Sequence, residues 1–355
     1  PPTLEHPGHL SYPSVPPPCP SDCLSVLRAL LFLFILLPMS SSAADLHPAR
    51  PRIAIIGSGA MGCYYGARMA QHGHDVKFLM RADLAHVREQ GLRIKSCAGD
   101  FALPLVQACG STWEMGACDL VFIALKTTAN ADLAKLLPPL LHPGTVIVTL
   151  QNGLGNEAHL ALLHQADQVL GGVCFVCINR IASGVIDHIS DGDVALGEFV
   201  GGPRPRTEQI SALLNACLIP SRVEPSLAVV RWKKLVWNIP FNGLAITGGG
   251  ITTADILGNP ALAARARVLA DEAVAAAAAL GHPLPEGWAD YQISRTPPMG
   301  PYRPSSMIDF VEGRPVEVEA IWGEPVRQAQ AAGARIPEMT ALYQEIRDAV
   351  AGRMR

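Results

Sequence analysis

Residues 52 to 62 read Arg-Ile-Ala-Ile-Ile-Gly-Ser-Gly-Ala-Met-Gly, a short β-branched run that breaks at once into Gly57-x-Gly59-x-x-Gly62. Each glycine has a mechanical reason in such a turn. Gly57 makes the tight exit from the strand, Gly59 lets backbone approach a phosphate group, and Gly62 lets the next helix pack close to the sheet. The stretch after it, Cys63 to His72, has helical character. A helix N-terminus at that point offers unpaired N–H groups and the positive end of its dipole to an anion. Strand, glycine turn and helix together predict a dinucleotide-binding α/β unit, with Gly57, Ser58, Gly59, Ala60, Met61 and Gly62 as the candidate phosphate loop.

The rest of residues 51–224 extends that unit. Val76 to Met80 reads as a second strand ending at Arg81, and Asp119 to Leu125 as a buried strand stopping at Lys126-Thr127. A helix is expected over roughly Asn130 to Leu141, then a strand from Thr145 to Leu150 that ends in Gln151-Asn152-Gly153. Short strands are expected at Leu92 to Lys95 and Phe101 to Leu105. In an open parallel sheet ligands sit at the carboxyl ends of the strands, so Arg81, Lys126 and Asn152 fall on the predicted ligand edge. Val169 to Gly197 reads as glycine-punctuated antiparallel strand that finishes the sheet, followed by a helix from Glu208 to Leu218 and a last strand from Ile219 to Glu224.

Beyond Pro225 the pattern is almost wholly helical. Asn259-Pro260 is a helix start, an N-cap with proline at the first helical position, opening a run that stops at Gly281. The fold class expected is therefore α/β: a Rossmann-like domain over 51–224 followed by an all-helical domain over 225–355, with a cleft between them. At 355 residues the chain is long enough for two such cores.

Composition excludes some functions. With 17% charged residues and a formal net charge of −3, the chain carries no basic stripe for nucleic acid. Nine cysteines are scattered without a disulfide framework, which fits a reducing, cytoplasmic compartment. Cys174 and Cys177 form a C-x-x-C inside an apolar run. On a strand their odd spacing sends the thiols to opposite faces, so they read as structural cysteines and not as a redox or metal pair.

Residues 1 to 50 stand apart. The first 20 are Pro-rich and predict disorder. Ala29 to Leu37 is apolar but too short for a membrane span of about 20 residues. Two readings fit it: the hydrophobic part of a secretory signal, with Ser-Ser-Ala-Ala at 41 to 44 as a cleavage site, or a natural start at Met39 that leaves the upstream stretch spurious. The Met39 start is the expectation.

A polar stripe supplies the chemistry. In Arg231-Trp-Lys-Lys-Leu-Val-Trp-Asn-Ile-Pro-Phe-Asn-Gly, residues Lys234, Asn238 and Asn242 recur at four-residue intervals and share one helix face. Pro240 would weaken or kink that helix. A lysine and two amides among aromatics are costly to bury without partners, which favours a ligand-facing role.

Taken together, Gly57-Ser-Gly-Ala-Met-Gly62, Leu125-Lys126, Gln151-Asn152-Gly153, Lys234-x3-Asn238-x3-Asn242 and the late run Ser305-Ser306-Met307 to Gly313-Arg314-Pro315-Val316-Glu317 resemble the ketopantoate reductase family (2-dehydropantoate 2-reductase) from residue 52 to about 350. The resemblance implies NADPH-dependent reduction of ketopantoate to pantoate, a step of pantothenate biosynthesis. It implies Lys234 as the general acid that protonates the ketone oxygen, and Glu317 as the essential acidic residue that helps position substrate and lysine. Asn152, Asn238, Asn242 and Ser306 match substrate-binding positions, and Lys126 a lysine on the nicotinamide and ribose side of the cleft, where Asn152 and Glu317 also meet the cofactor. No metal is implied. The partner is a small 2-keto acid, with no nucleic acid or membrane, and a homodimer is left open.

Cofactor choice turns on Arg81. An acidic residue after the second strand suits the ribose hydroxyls of NAD, whereas an arginine accommodates the 2′-phosphate of NADP. The chain departs from the family after Asn242, where it reads Gly-Leu-Ala-Ile-Thr-Gly-Gly-Gly, and the Ser306 to Glu317 interval is one residue shorter than usual. Reduction of a different 2-keto acid is thus one alternative, a non-catalytic NADPH-binding protein another, and a related hydroxyacid or opine-type dehydrogenase a third. Arg303 is a candidate anchor for the substrate carboxylate, with a plain surface role equally open.

Overall fold

A computed structural model describes residues 50–353 of the chain, so the expectations for the apolar run at 29 to 37, the Met39 start and its secretory alternative lie outside the described residues. The first part is built on a ten-stranded mixed sheet. Strand β1 (Arg52–Ile56) runs parallel to β2 (Asp75–Leu79), with α1 (Ala60–Gln71) between them. There follow α2 (Leu84–Gln90), β3 (Leu92–Ser96), β4 (Phe101–Leu103), β5 (Gln107–Cys109), β6 (Leu120–Ile123) and β7 (Val146–Thr149). Helix α3 (Asn156–Ala161) leads to the long strands β8 (Val169–Ala182) and β9 (Val185–Glu198), then α4 (Pro205–Ala216) and β10 (Ser221–Val223).

The order β4-β3-β9-β8-β7-β6-β1-β2-β5 puts β1 in the interior, with β10 alongside β9. Alternation along β1 explains why a strand of four apolar residues suits that place. Ile53 and Ile55 pack on one face with Tyr65 and Met69 of α1, and Ala54 and Ile56 on the other with Leu133 and Leu160. β8 and β9 are antiparallel to each other, as expected, while β8 runs parallel to β7 and β9 parallel to β3.

One expectation is corrected. Residues 130 to 141 form no single helix: a 3₁₀ turn (Thr127–Asp132), one α turn (Leu133–Leu136) and a second 3₁₀ turn (Pro138–Leu140) succeed one another. The consecutive Pro138 and Pro139 lack the backbone N–H groups a continuing helix needs. The last strand is also shorter than expected, covering Ser221–Val223.

The second part comprises α5 (Leu227–Thr247), α6 (Thr253–Gly258), α7 (Pro260–Ala279), α8 (Trp288–Ser294), α9 (Ser305–Val311), α10 (Glu324–Ala331) and α11 (Pro337–Arg353). Helix α5 runs for 21 residues with Pro240 inside it, so the proline does not end it. Its buried Trp232, Leu235, Val236 and Ile239 join the alanines of α7 in a separate core. Asn259 caps α7 through its side-chain oxygen, which accepts from Ala261 and Leu262 N–H at 3.0 and 3.3 Å. No helix among the described residues is long and apolar enough to cross a membrane.

Candidate active site

The glycine loop has the geometry its residues require. Gly57 sits at φ +103°, and a Cβ there would lie 2.4 Å from Leu125 N. A Cβ on Gly62 would lie 2.1 Å from Gly57 O, so loop and helix close on each other only as glycines. At Gly59 nothing approaches within 4 Å, leaving open space directly before the helix. Gly59 is also the N-cap of α1 and supplies no side-chain cap, so the first N–H groups face that space. Ser58 does not point there: its Oγ donates to Leu79 O at 2.7 Å and ties the loop to the end of β2. Ala60 and Met61 begin the helix and pack, partly buried, against the sheet core.

Because β2, β1, β6 and β7 are parallel neighbours, Arg81, Lys126 and Asn152 emerge on one edge of the sheet. Arg81 is exposed and forms no ion pair among the described residues. Asp83, two residues on, is occupied: Arg180 Nη1 reaches its Oδ2 at 2.8 Å and Ser183 Oγ its Oδ1 at 3.1 Å.

Helix α5 brings the polar stripe to that edge. Lys234, half-buried, donates from Nζ to Asn152 Oδ1 at 2.7 Å and to Cys174 O at 2.6 Å, and lies 5.7 Å from the Phe175 ring centroid. Burial is the chief cause that brings the ammonium down to about 8 from its ordinary 10.5. Among charged and titratable neighbours, Cys174 raises it, Arg231 lowers it, and Glu317 and Asp193 raise it. Desolvation therefore outweighs the carboxylates.

Glu317 is buried, and burial pushes its carboxyl up despite the opposing pull of Lys126 and Thr127. It makes no hydrogen bond to Lys234; its Oε1 accepts from Thr127 N–H at 2.8 Å, holding the loop after β6. Lys126 pairs with Asp309 on α9, and Asp309 also accepts from Arg314 Nε at 2.9 Å. Asn242 Oδ1 accepts from the Ser306 N–H at 2.9 Å, fixing the start of α9. Asn238 is buried, and its amide has no hydrogen-bond partner among the described residues. The Ser306 hydroxyl is likewise unpartnered there. Arg303 is exposed and unpaired among the described residues.

The sequence reading missed three participants. The Cys174 carbonyl leaves no side-chain signal. Asp309 faces Lys126 from 183 positions away. Arg231, one turn before Lys234 on the same face, was in plain view; it reaches Gln151 O and Glu157. The two C-x-x-C thiols do diverge. Cys174 meets Tyr65 of α1, and Cys177 meets Tyr302, which lies in the second part. No cluster suited to a metal occurs among the described residues.

A Rossmann-like sheet followed by a helical part, with Lys234 of α5 bonded to Asn152 at the sheet edge, is the class these features define. Residues 53–201 match the family model for ketopantoate reductase PanE/ApbA, and residues 227–350 match that for its C-terminal part. The chain is 38% identical over 301 residues to the 2-dehydropantoate 2-reductase of Nostoc sp., covering 83% of this chain and 94% of the relative. The crystal structure of the Geobacter metallireducens 2-dehydropantoate 2-reductase superposes with a TM-score of 0.82 at 40% identity, over 84% of this chain and 99% of that one. A D-mandelate dehydrogenase with NADH and anilino(oxo)acetate, 19% identical at a TM-score of 0.77 over 84% of this chain and 98% of that one, shares the fold. The chain belongs to the ketopantoate reductase family of oxidoreductases.

Proposed function

We propose that this chain reduces 2-dehydropantoate (ketopantoate) to pantoate with NADPH, in pantothenate biosynthesis, with Lys234 as the general acid. The observation that carries the reading is the Lys234 ammonium, held at 2.7 Å from Asn152 Oδ1 and 2.6 Å from Cys174 O at the sheet edge, where burial lowers its pKa. The division of labour assigns the cofactor to residues 51–224 and the catalytic helix to residues 225–355.

The residues fit a dinucleotide. The open space at Gly59 and the uncapped start of α1 suit the pyrophosphate, and the unpaired Arg81 suits a 2′-phosphate while Asp83 is already engaged. When bound, NADPH supplies the hydride. Lys234 then holds the proton for the ketone oxygen, where alkoxide charge develops. Its lowered pKa eases release, and Asn152 restricts the ammonium to one direction. Asn238 and the Ser306 hydroxyl, both without partners among the described residues, supply hydrogen bonds to the substrate. Asn242 acts through the Ser306 backbone, and Glu317 through Thr127 N–H. Lys126 flanks the nicotinamide side.

The partner is a small 2-keto acid, with no nucleic acid or membrane; assembly as a homodimer is read by light scattering. The free cysteines among the described residues fit a cytoplasmic setting. A second reading, reduction of a bulkier 2-keto acid by the same steps, is favoured by aromatics near Lys234. Phe175 lies under its Nζ, and Trp237, three residues along α5, packs 6.1 Å from Tyr302. Steady-state assays of the full chain with NADPH or NADH and a panel of 2-keto acids led by ketopantoate test both. Ketopantoate turnover that Lys234→Ala abolishes supports the main reading. Preference for a bulkier keto acid supports the second, and tight NADPH binding without turnover on any member overturns both.

A further inference from the structure

Lys234 is held by a turn that a buried ion pair grips from below. Arg231, on the same face of α5 one turn earlier, donates from Nη1 to Gln151 O and from Nη2 to Glu157 Oε1 of α3. Arg231 and Glu157 are only 4% and 5% exposed. Strand β8 leaves room for the pair at Gly171, where a Cβ would lie 2.6 Å from Glu157 Oε1. One helix face thus takes two consecutive residues of one turn: Gln151 by its backbone through Arg231, and Asn152 by its side chain through Lys234. The far side of the turn is fixed separately. Gln151 Nε2 donates to Leu125 O and Asn130 Oδ1 at 3.0 and 2.7 Å, and Asn156 Nδ2 donates to Asn152 O at 2.9 Å.

We propose that Arg231 and Glu157 form a positioning pair for the reaction, fixing the Asn152 amide against Lys234 and setting the local electric field at its ammonium. This rests on the role assigned to Lys234 above. A buried pair is weak as a stabilising device, because its desolvation offsets its attraction and apolar replacements often serve as well. Its place one turn from the ammonium gives it an electrostatic consequence instead. The charged and titratable groups that act most strongly on Lys234 are Arg231 on its own helix, Cys174 on β8, Asp193 on β9 and Glu317 after α9, and Arg231 is the cation among these. Glu157 partly cancels that cation.

The two partners therefore act with opposite sign. Arg231→Gln removes a positive charge and leaves a carboxylate, which raises the Lys234 pKa. Glu157→Gln leaves the guanidinium uncompensated, which lowers it. The double variant returns it toward wild type. Shifts on the order of half a unit to one unit are expected at these separations. Arg231→Lys keeps the charge but loses the two-pronged grip, so it leaves the pKa near its original value while kcat falls about tenfold.

The test uses the full chain and two readouts. Competitive acetylation of Lys234 across pH, read by mass spectrometry, gives its pKa without substrate. The pH dependence of kcat with NADPH and ketopantoate gives the catalytic consequence. Opposite displacements in the two single variants, cancelling in the double, are the expected result. Displacements of the same sign, or none, with kcat falling only as folded protein is lost, overturn the proposal. Should the wild-type chain fail to turn over ketopantoate, the substrate reading falls, while acetylation still decides the pair.

Discussion

Lys234 Nζ and Asn152 Oδ1 lie 2.7 Å apart, yet they are 82 positions apart in sequence and belong to the two halves of the molecule. Asn152 stands at the end of β7 on the ligand edge of the sheet; Lys234 projects from α5. Their bond joins the edge where a dinucleotide would lie to the helix that carries the polar stripe. It also uses an acceptor that cannot take a proton from lysine at neutral pH, so the ammonium is aimed without being neutralised. The second acceptor, Cys174 O, works in the same way.

A pH dependence follows from that arrangement. With its pKa near 8, Lys234 is protonated below that value and neutral above it, and the proposed role as general acid needs the protonated form. The kcat for ketopantoate reduction is expected to fall as pH rises through about 8. Oxidation of pantoate, which needs neutral lysine as base, rises through the same range. Profiles in both directions between pH 6 and pH 10 measure this, with Lys234→Ala lowering kcat by about 10²- to 10⁴-fold. Parallel profiles in the two directions contradict the assignment.

Arg81 and Asp83 predict the cofactor preference. Arg180 and Ser183 already occupy the carboxylate that would otherwise suit ribose hydroxyls, whereas the guanidinium is unpaired among the described residues. Arg81→Ala is expected to raise the KM for NADPH about 10- to 100-fold, the worth of a charge-assisted contact, and to leave the KM for NADH little changed. An unaltered ratio of the two would show that another residue reads the phosphate.

The grouping of those candidate residues was legible because simple periodicities placed them. A parallel sheet puts the ends of β2, β6 and β7 on one edge, so the sequence alone groups Arg81, Lys126 and Asn152. A helix groups Lys234, Asn238 and Asn242 for the same kind of reason. What escaped was long-range or local in another sense. The pairing of β3 with β9 and of Lys126 with Asp309 joins segments whose separation no pattern encodes. The helix expected over 130 to 141 gives way to short turns over 127 to 140, where Pro138 and Pro139 lack the N–H groups a continuing helix needs. Arg231 stands outside the four-residue ladder, which starts one turn after it, so that spacing carries no signal for it.

The glycine loop separates folding from binding. Gly59 has φ −76°, a value any residue adopts, and a Cβ there meets nothing within 4 Å. Gly59→Ala should melt with the wild type but bind NADPH at least tenfold more weakly, because the methyl occupies the phosphate's space. Gly62→Ala must displace Gly57 O, 2.1 Å from the new Cβ, and is expected to cost about 1–3 kcal/mol of stability as well as affinity. Thermal melts paired with fluorescence titration distinguish the two. Full NADPH affinity in Gly59→Ala would mean that the pyrophosphate lies elsewhere.

Asn238 and Asn242 stand one turn apart on the same stripe and should answer to different measurements. Asn242 Oδ1 is the acceptor for the Ser306 N–H at the buried start of α9. Asn242→Ala orphans that donor and is expected to cost about 1–3 kcal/mol of stability. Asn238 has no internal partner to orphan among the described residues, so Asn238→Ala should leave the unfolding free energy within about 1 kcal/mol of wild type. Its loss appears in catalysis instead, as a KM for ketopantoate raised about 2- to 10-fold, the worth of one hydrogen bond. Denaturant unfolding and steady-state kinetics on both variants provide the comparison. Were Asn238→Ala to lose stability while keeping its KM, that amide would belong to the helix packing and not to the substrate.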